Sequence, residues 1–318
     1  MKLKYSVQSV SSNDAELFCA DSPHTTVFTQ PTVLSTLAYK VDWWCCQYGD
    51  ERICMWPVTL NDVGIVFRAP FSYWVGPIWS RNSQAIATHR RLVIETEVYE
   101  ALIRVLIERY GTIRSSLAPG ITDVRVFDWW NYHAHEESRF RIFPRYTAQI
   151  EKLQERQNIR ADFRELRRRQ IRKMERVMCL EKTDDCDGLE VSKLYDITLF
   201  NQNVASDEKT RLAIENCLDL VRRGFGRFVG FRDCRSKELI SILVMLCGNG
   251  VANMVINVAH PHWRQQGIIP LTVFSAIQIA SELGYDTFDF NGANSPRRGD
   301  DKHSYGAKAV LYFDIELN

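Results

Sequence analysis

The chain has 318 residues, 45% of them hydrophobic and 25% charged, which is the balance of a folded protein with one large core or two medium ones. Lys and Arg number 40 against 39 Asp and Glu, so a net charge of +1 supplies no field to recruit nucleic acid or an anionic membrane. The N-terminal stretch MKLKYSVQSVSSNDAELF lacks the apolar centre of a secretory signal, and no apolar run approaches the roughly 18 residues of a membrane span, so a cytoplasmic chain without a membrane partner is expected.

In chain order, Pro31 opens a short helix with Val33, Leu34 and Leu37 inward. Val41 to Tyr48 and Arg52 to Pro57 read as a hairpin turning at Gly49-Asp50. Phe71 to Pro77 is aromatic and ends in a Gly-Pro breaker, the pattern of a strand leaving a sheet. Val93, Val98, Leu102, Val105 and Leu106 recur at helical spacing and predict a helix from Leu92 to Tyr110. Val124–Phe127 and Phe140–Phe143 read as strands framing the tract Asp128-Trp129-Trp130-Asn131-Tyr132-His133.

The second half begins with a predicted helix from Arg160 to Met178, whose Arg167, Arg168, Arg169, Arg172 and Lys173 read as a solvated basic face. Another spans Glu208 to Arg223 and ends at Gly224. Strands follow at Arg227–Asp233, Glu238–Cys247 and Val251–Ala259, then a helix from Pro270 to Leu283 and strands at Thr287–Asn291 and Ala309–Glu316. Three strands, one helical crossover and two more strands make an α+β order. The nine cysteines include no C-x-x-C pair, so they read as reduced thiols, with Cys54 and Cys247 as small buried hydrophobes. His260 and His262 have no third ligand nearby, and no metal is expected.

Chemistry concentrates between His260 and Tyr312. Gln266, Gly267 and Ile268 precede a helix, where backbone amides without an intrahelical acceptor hold a phosphate. Asn257 interrupts the apolar strand before that loop. Asp289 and Asn291 alternate along the next strand and so share a face. A carboxylate there suits the handling of a proton, and His303 offers an imidazole titrating near neutrality for the same task. Lys302 supplies a cation for a phosphate or a developing oxyanion. In the first half, Asp128, Trp129, Trp130, Tyr132 and His133 combine flat aromatics with a carboxylate, a set that suits a sugar or a nucleobase as well as it suits a core.

These residues resemble the Fem-like branch of tandem-GNAT N-acyltransferases over nearly the whole chain. The resemblance is carried by Phe28-Thr29-Gln30-Pro31, Trp56-Pro57, Trp74-Val75-Gly76-Pro77 and Phe143-Pro144-Arg145-Tyr146-Thr147. Asp289-Phe290-Asn291-Gly292 followed by Lys302-His303-Ser304-Tyr305-Gly306 completes the set. It implies two tandem GNAT-like domains, here residues 1–158 and 159–318, each a mixed, mostly antiparallel sheet flanked by helices. It also implies a coenzyme A thioester donor at the second domain, contacted by Asn257, Val258, Gln266, Gly267, Ile268 and Lys302, and catalysis by Asp289, His303 and Asn291. Backbone amides near Val258 would polarise the thioester carbonyl. Tyr146 falls in the family's Arg-Tyr-Thr element and joins Asp128, Trp129, Trp130 and Tyr132 as an acceptor contact. The pyrophosphate pattern keeps Gly267 but has Ile269 in place of its second small residue, and the long helical-hairpin insertion of Fem peptidyltransferases is absent. The expected reaction is therefore transfer from acyl-CoA to the amine of a nucleotide-linked amino sugar in surface-polysaccharide synthesis, without nucleic acid. An aminoacyl-tRNA-dependent transferase and a non-catalytic carbohydrate- or nucleotide-binding module are the alternatives.

Overall fold

The computed structural model describes residues 5–134, 136–200 and 207–318. The chain packs as two compact units, one formed by residues up to Arg145 together with Leu311–Asn318, the other by Tyr146–Val310.

The first unit contains strands β1 (Ser6–Val10), β2 (Lys40–Tyr48), β3 (Glu51–Leu60), β4 (Ile78–Trp79) and β5 (Ile113–Ser116). Its helices are α1 (Ser12–Asp21), α2 (Pro31–Leu37), α3 (Thr88–Tyr110) and α4 (Arg125–Trp129). Strands β1 to β4 pair in that order, all antiparallel. Helix α1, which the sequence patterns did not announce, starts on a reciprocal cap between Ser11 and Asp14. The tryptophans serve mainly as core: Trp56 meets Tyr99 and Phe127 edge-on, and Trp79 donates its indole N–H to the Tyr99 hydroxyl at 2.7 Å. Burial pushes the Cys45 and Cys46 thiols up to about 11 and about 12, and Cys54 well above its usual range, which suits small hydrophobes and not nucleophiles.

Two expected strands take other forms. Val124–Phe127 lies at the start of helix α4, because the Asp123 carboxylate accepts the Arg125 amide and turns the chain there. Phe71 to Pro77 is irregular, with Phe71 and Trp74 in the left-handed region at φ 56° and 52°, and only Ile78–Trp79 pairs with β3.

Strand β6 (Arg141–Ile150) leads into the second unit. There follow α5 (Glu165–Met174), β7 (Leu180–Thr183), α6 (Gly188–Phe200), α7 (Glu208–Leu220), β8 (Gly226–Asp233), β9 (Leu239–Gly248) and β10 (Val251–Ala259). Next come α8 (Pro261–Gln266), α9 (Ile268–Glu282), β11 (Thr287–Asp289), α10 (Pro296–His303) and β12 (Lys308–Leu317), whose end pairs with β5 in the first unit. The second unit's sheet runs β6-β11-β10-β9-β8-β7. β10 and β11 are parallel, joined by the α8–α9 crossover, and the other pairs described in this unit are antiparallel. β9 is buried along nearly its whole length, and α9 contributes Ile268, Leu271, Phe274 and Ile277 to the same core. This is the anticipated α+β class, with sheets flanked by helices. α5 begins five residues later than the periodicity suggested, and the helix expected from Pro270 starts at Ile268.

Gly226 opens β8 against β9, and a Cβ added there would sit 2.1 Å from the Met245 carbonyl oxygen. Gly64 has φ +81° with nothing within 4 Å of such a Cβ. In urea titrations Gly226→Ala is expected to lose about 2–4 kcal/mol, because backbone must move. Gly64→Ala is expected to lose only about 1–2 kcal/mol, the cost of a left-handed residue with a side chain. Equal losses would show that the β8–β9 contact is looser than it stands here.

Candidate functional site

The second unit's central feature is a parting of two parallel strands. β10 and β11 pair from Val251↔Thr287 to Asn253↔Asp289, and there β11 ends while β10 continues to Ala259. Its pairing with β9 slips between Met254 and Ile256, a β-bulge of the kind that bends a strand away from its neighbour. After Asp289 the chain follows β6 instead: Phe290 donates its amide to the Ala148 carbonyl at 2.9 Å, and Ala293 to that of Tyr146 at 2.7 Å. The second half of β10 is thus left beside a notch, with no β11 partner.

Asp289 stands where the strands part. It is fully buried, and its carboxylate accepts from the Thr147 hydroxyl, from Gln149 Nε2 at 2.6 Å and from the Asn291 amide at 2.7 Å. Burial raises its pKa from 3.8 to about 6, against those three hydrogen bonds and the Lys302 charge, which act to lower it. Asn291 and Gly292 are both left-handed, at φ 49° and 47°. Asn291 Nδ2 donates to the Met254 carbonyl at 2.9 Å, at the bulge itself. Buried Lys302 donates to the carbonyls of Asn291 and of Gly292, the latter at 2.6 Å. His303 places Nδ1 2.8 Å from the Ala307 carbonyl, so Nδ1 carries the proton of that hydrogen bond and Nε2 is the acceptor whenever the ring is neutral. Asn253, Asn257 and Asn291 each hold a buried Oδ1, and Tyr305 a buried hydroxyl, without a hydrogen-bond partner among the described residues. Such unsatisfied atoms are uncommon in interiors, and two of these four lie on β10 itself; the first unit holds others at His24, Trp74, Ser116 and Asp314.

The crossover is more closed than an open loop. Pro261 to Gln266 forms helix α8, and the Gly267 amide is committed to the Trp263 and Arg264 carbonyls. Gly267 itself, at φ +99°, lies under Gln170, which an added Cβ would meet at 3.1 Å. Lys173 donates to Gln266 Oε1 at 2.7 Å. Pro270 has no N–H, so the start of α9 offers the amides of Ile268 and Ile269. Val258 is buried, and its carbonyl lies 3.4 Å from the Ser241 hydroxyl.

The basic helix is only partly a solvated face. Arg168, Arg169 and Arg172 pair with Glu165, but Arg167 reaches inward to the Ser304 hydroxyl at 2.7 Å, to Asp301 and over the Tyr305 ring. Tyr305 in turn stacks on Phe290, with centroids 5.6 Å apart.

Asp289, Asn291, Lys302 and Tyr146 therefore gather in one unit, where the Tyr146 amide donates to Asn294 Oδ1 at 2.7 Å. Asp128, Trp129, Trp130 and Tyr132 belong to the other. Their aromatic faces already carry cations: Arg125 lies over Trp129, Arg104 over Trp130 and Arg139 over Tyr132. That unit has its own cavity of about 160 Å³, with Thr59, Arg68, Arg114, Ser116, Asp314 and Glu316 in its wall, and none of the four expected residues lines it. Thr147, Gln149, Asn253 and Tyr305 went unselected from sequence. Thr147 and Tyr305 lie inside motifs already noted, while Asn253 and Gln149 are polar interruptions of strands. No group of His, Cys, Asp and Glu suited to a metal occurs among the described residues, and no helix among them is long and apolar enough to cross a membrane.

As the wild-type pH rises from about 4 to about 6, Asp289 is protonated in the native state while its unfolded counterpart ionises, so wild-type stability falls relative to Asp289→Asn. The expected loss is about 2–3 kcal/mol, complete above pH 6, and urea midpoints of the two proteins across this range measure it. Parallel pH profiles would mean that Asp289 titrates as it does in water.

The family description "Acetyltransferase (GNAT) domain" matches residues 156–302. No curated protein matches the sequence. Among solved structures, FemX superposes with a TM-score of 0.66 at 10% identity, covering 97% of this chain and 96% of its own. A tandem GNAT protein from the clavulanic acid biosynthesis pathway gives 0.60 at 12% identity, covering 99% and 98%. L-PGS from Bacillus licheniformis gives 0.56 at 12% identity, covering 98% and 93%. The parted parallel strands thus lie within the stretch that matches the GNAT acetyltransferase model, and the chain as a whole has the fold of two GNAT-like domains.

Proposed function

We propose that this chain is an N-acyltransferase that moves an acyl group from a coenzyme A thioester to an amine at the notch of the second unit. The observation that carries this reading is the parting of β10 and β11 at a bulge, which leaves the second half of β10 without a β11 partner and, among the described residues, the buried Asn257 Oδ1 without a hydrogen bond. An extended pantetheine arm, with its two amides, supplies donors and acceptors for such an edge, much as an added strand would. The Ile268 and Ile269 amides at the start of α9 suit the pyrophosphate, with Gln266 and Gly267 shaping the turn before them. In the reaction the amine nitrogen attacks the thioester carbonyl, the C–S bond breaks, and the sulfur leaves as a thiolate that is then protonated. Amides near Val258 polarise that carbonyl, and His303 Nε2 accepts the proton lost by the amine. Asp289, buried and engaged through both oxygens, acts through what it holds in place.

For the acceptor we retain a nucleotide-linked amino sugar, with Tyr146 of the second unit among its contacts, and a cytoplasmic location. The functional division between residues 1–158 and 159–318 forms part of the same reading, supported by a family match that begins at residue 156. A second reading, aminoacyl transfer from tRNA, draws support from the likeness to FemX along the length of both chains.

Thermal-shift titration separates the two. Acyl-CoA and one nucleotide amino sugar are each expected to raise the melting temperature, since a ligand that binds only the native state stabilises it. A transfer activity abolished by ribonuclease, with no response to coenzyme A, would replace the first reading with the second.

A further inference from the structure

From the hydrogen bonds around Asn291 we infer that Lys302 is a positioning residue: a buried strut that fixes the width of the notch and does not bind the donor's phosphates. This inference rests on the notch being the donor site.

Lys302 reaches back from the last turn of α10, and its ammonium ends on two consecutive carbonyls, those of Asn291 and Gly292. Successive left-handed residues turn these oxygens to one side, where a single cation takes both. The same Asn291 gives its backbone N–H to Asp289, so its backbone is held on one side by a carboxylate and on the other by an ammonium. Its side chain then donates to the Met254 carbonyl at the bulge of β10. The path from Lys302 through Asn291 to Met254 therefore spans the gap between the end of β11 and the bent strand. Thr147 and Gln149 fasten Asp289 to β6, the strand that the departing chain follows. A buried ammonium held this way has little freedom to meet a phosphate, and withdrawing it would remove a nearby positive charge that favours ionised Asp289.

A phosphate contact and a strut respond differently when the ligand is truncated. Coenzyme A and pantetheine, which lacks the phosphates, would be titrated calorimetrically into wild type and Lys302→Met. A strut predicts that both ligands weaken by a similar factor, about tenfold, with no change in the salt dependence of coenzyme A binding. A loss confined to coenzyme A, with pantetheine untouched, would overturn the inference.

Urea denaturation tests the strut even if neither ligand binds, in which case the donor-site reading fails separately. Lys302→Met should lower the folding constant at least about tenfold, and Asp289→Asn in the same chain should restore much of the loss, because the carboxylate that this charge favours is gone. Should Lys302→Met not fold at all, recovery of folding in the double variant gives the same answer. Additive effects of the two substitutions, or a Lys302→Met protein as stable as wild type, would refute it.

Discussion

The second unit is organised around a carboxylate that the fold carries fully indoors. Burying Asp289 is costly, as its raised pKa records, and the cost is offset in part by donors from two segments, Thr147 and Gln149 of β6 and the Asn291 amide, and by the nearby charge of Lys302. Those donors hold the end of β11 against β6. Phe288 and Asp289 still pair with both β6 and β10, but beyond Asp289 the chain keeps to β6 while the bulge at Met254–Ile256 bends β10 away. The notch thus opens directly beside the residue whose buried charge these donors satisfy.

The surrounding helices brace this arrangement. Arg167 of α5 ties together Asp301, Ser304 and the ring of Tyr305, and Tyr305 stacks on Phe290 next to Asp289. Gln170 from the same helix covers Gly267, where the crossover turns into α9. One face of α5 therefore closes over both the Gly267 turn and the motif that follows α10, while its other arginines are paired with Glu165. Gly306, at φ +76°, lies so near Asp162 that a Cβ would meet that residue at 2.6 Å, so the Tyr-Gly turn is fixed by packing as well as by conformation.

Much of this was legible in the residues. The strands β8, β9 and β10 and the helix α9 follow from apolar runs whose lengths and glycine boundaries leave few alternatives. Asp289 and Asn291 stood out because polar residues at the end of a buried strand need a reason. Less legible were short pieces governed by a local side chain: Asp123 starting α4, Ser11 and Asp14 capping α1, and the six residues of α8 inside what read as a loop. Arg167 read as one basic residue among several, since nothing in a helical periodicity tells which arginine faces a serine more than a hundred positions away.

Composition, periodicity and motif order determined the α+β class, the crossover and the identity of the polar residues, because secondary structure and strand order follow from local patterns and from what must be buried. Only the tertiary structure decided what those residues do to one another. Asp289 becomes a buried acceptor of three hydrogen bonds, Lys302 turns inward to carbonyls, and the Gly267 amide is spent inside its own turn. Each outcome depends on donors and acceptors distant in sequence meeting within hydrogen-bond range, and that proximity is set by the packing of β6 against β11 and of α5 over α9.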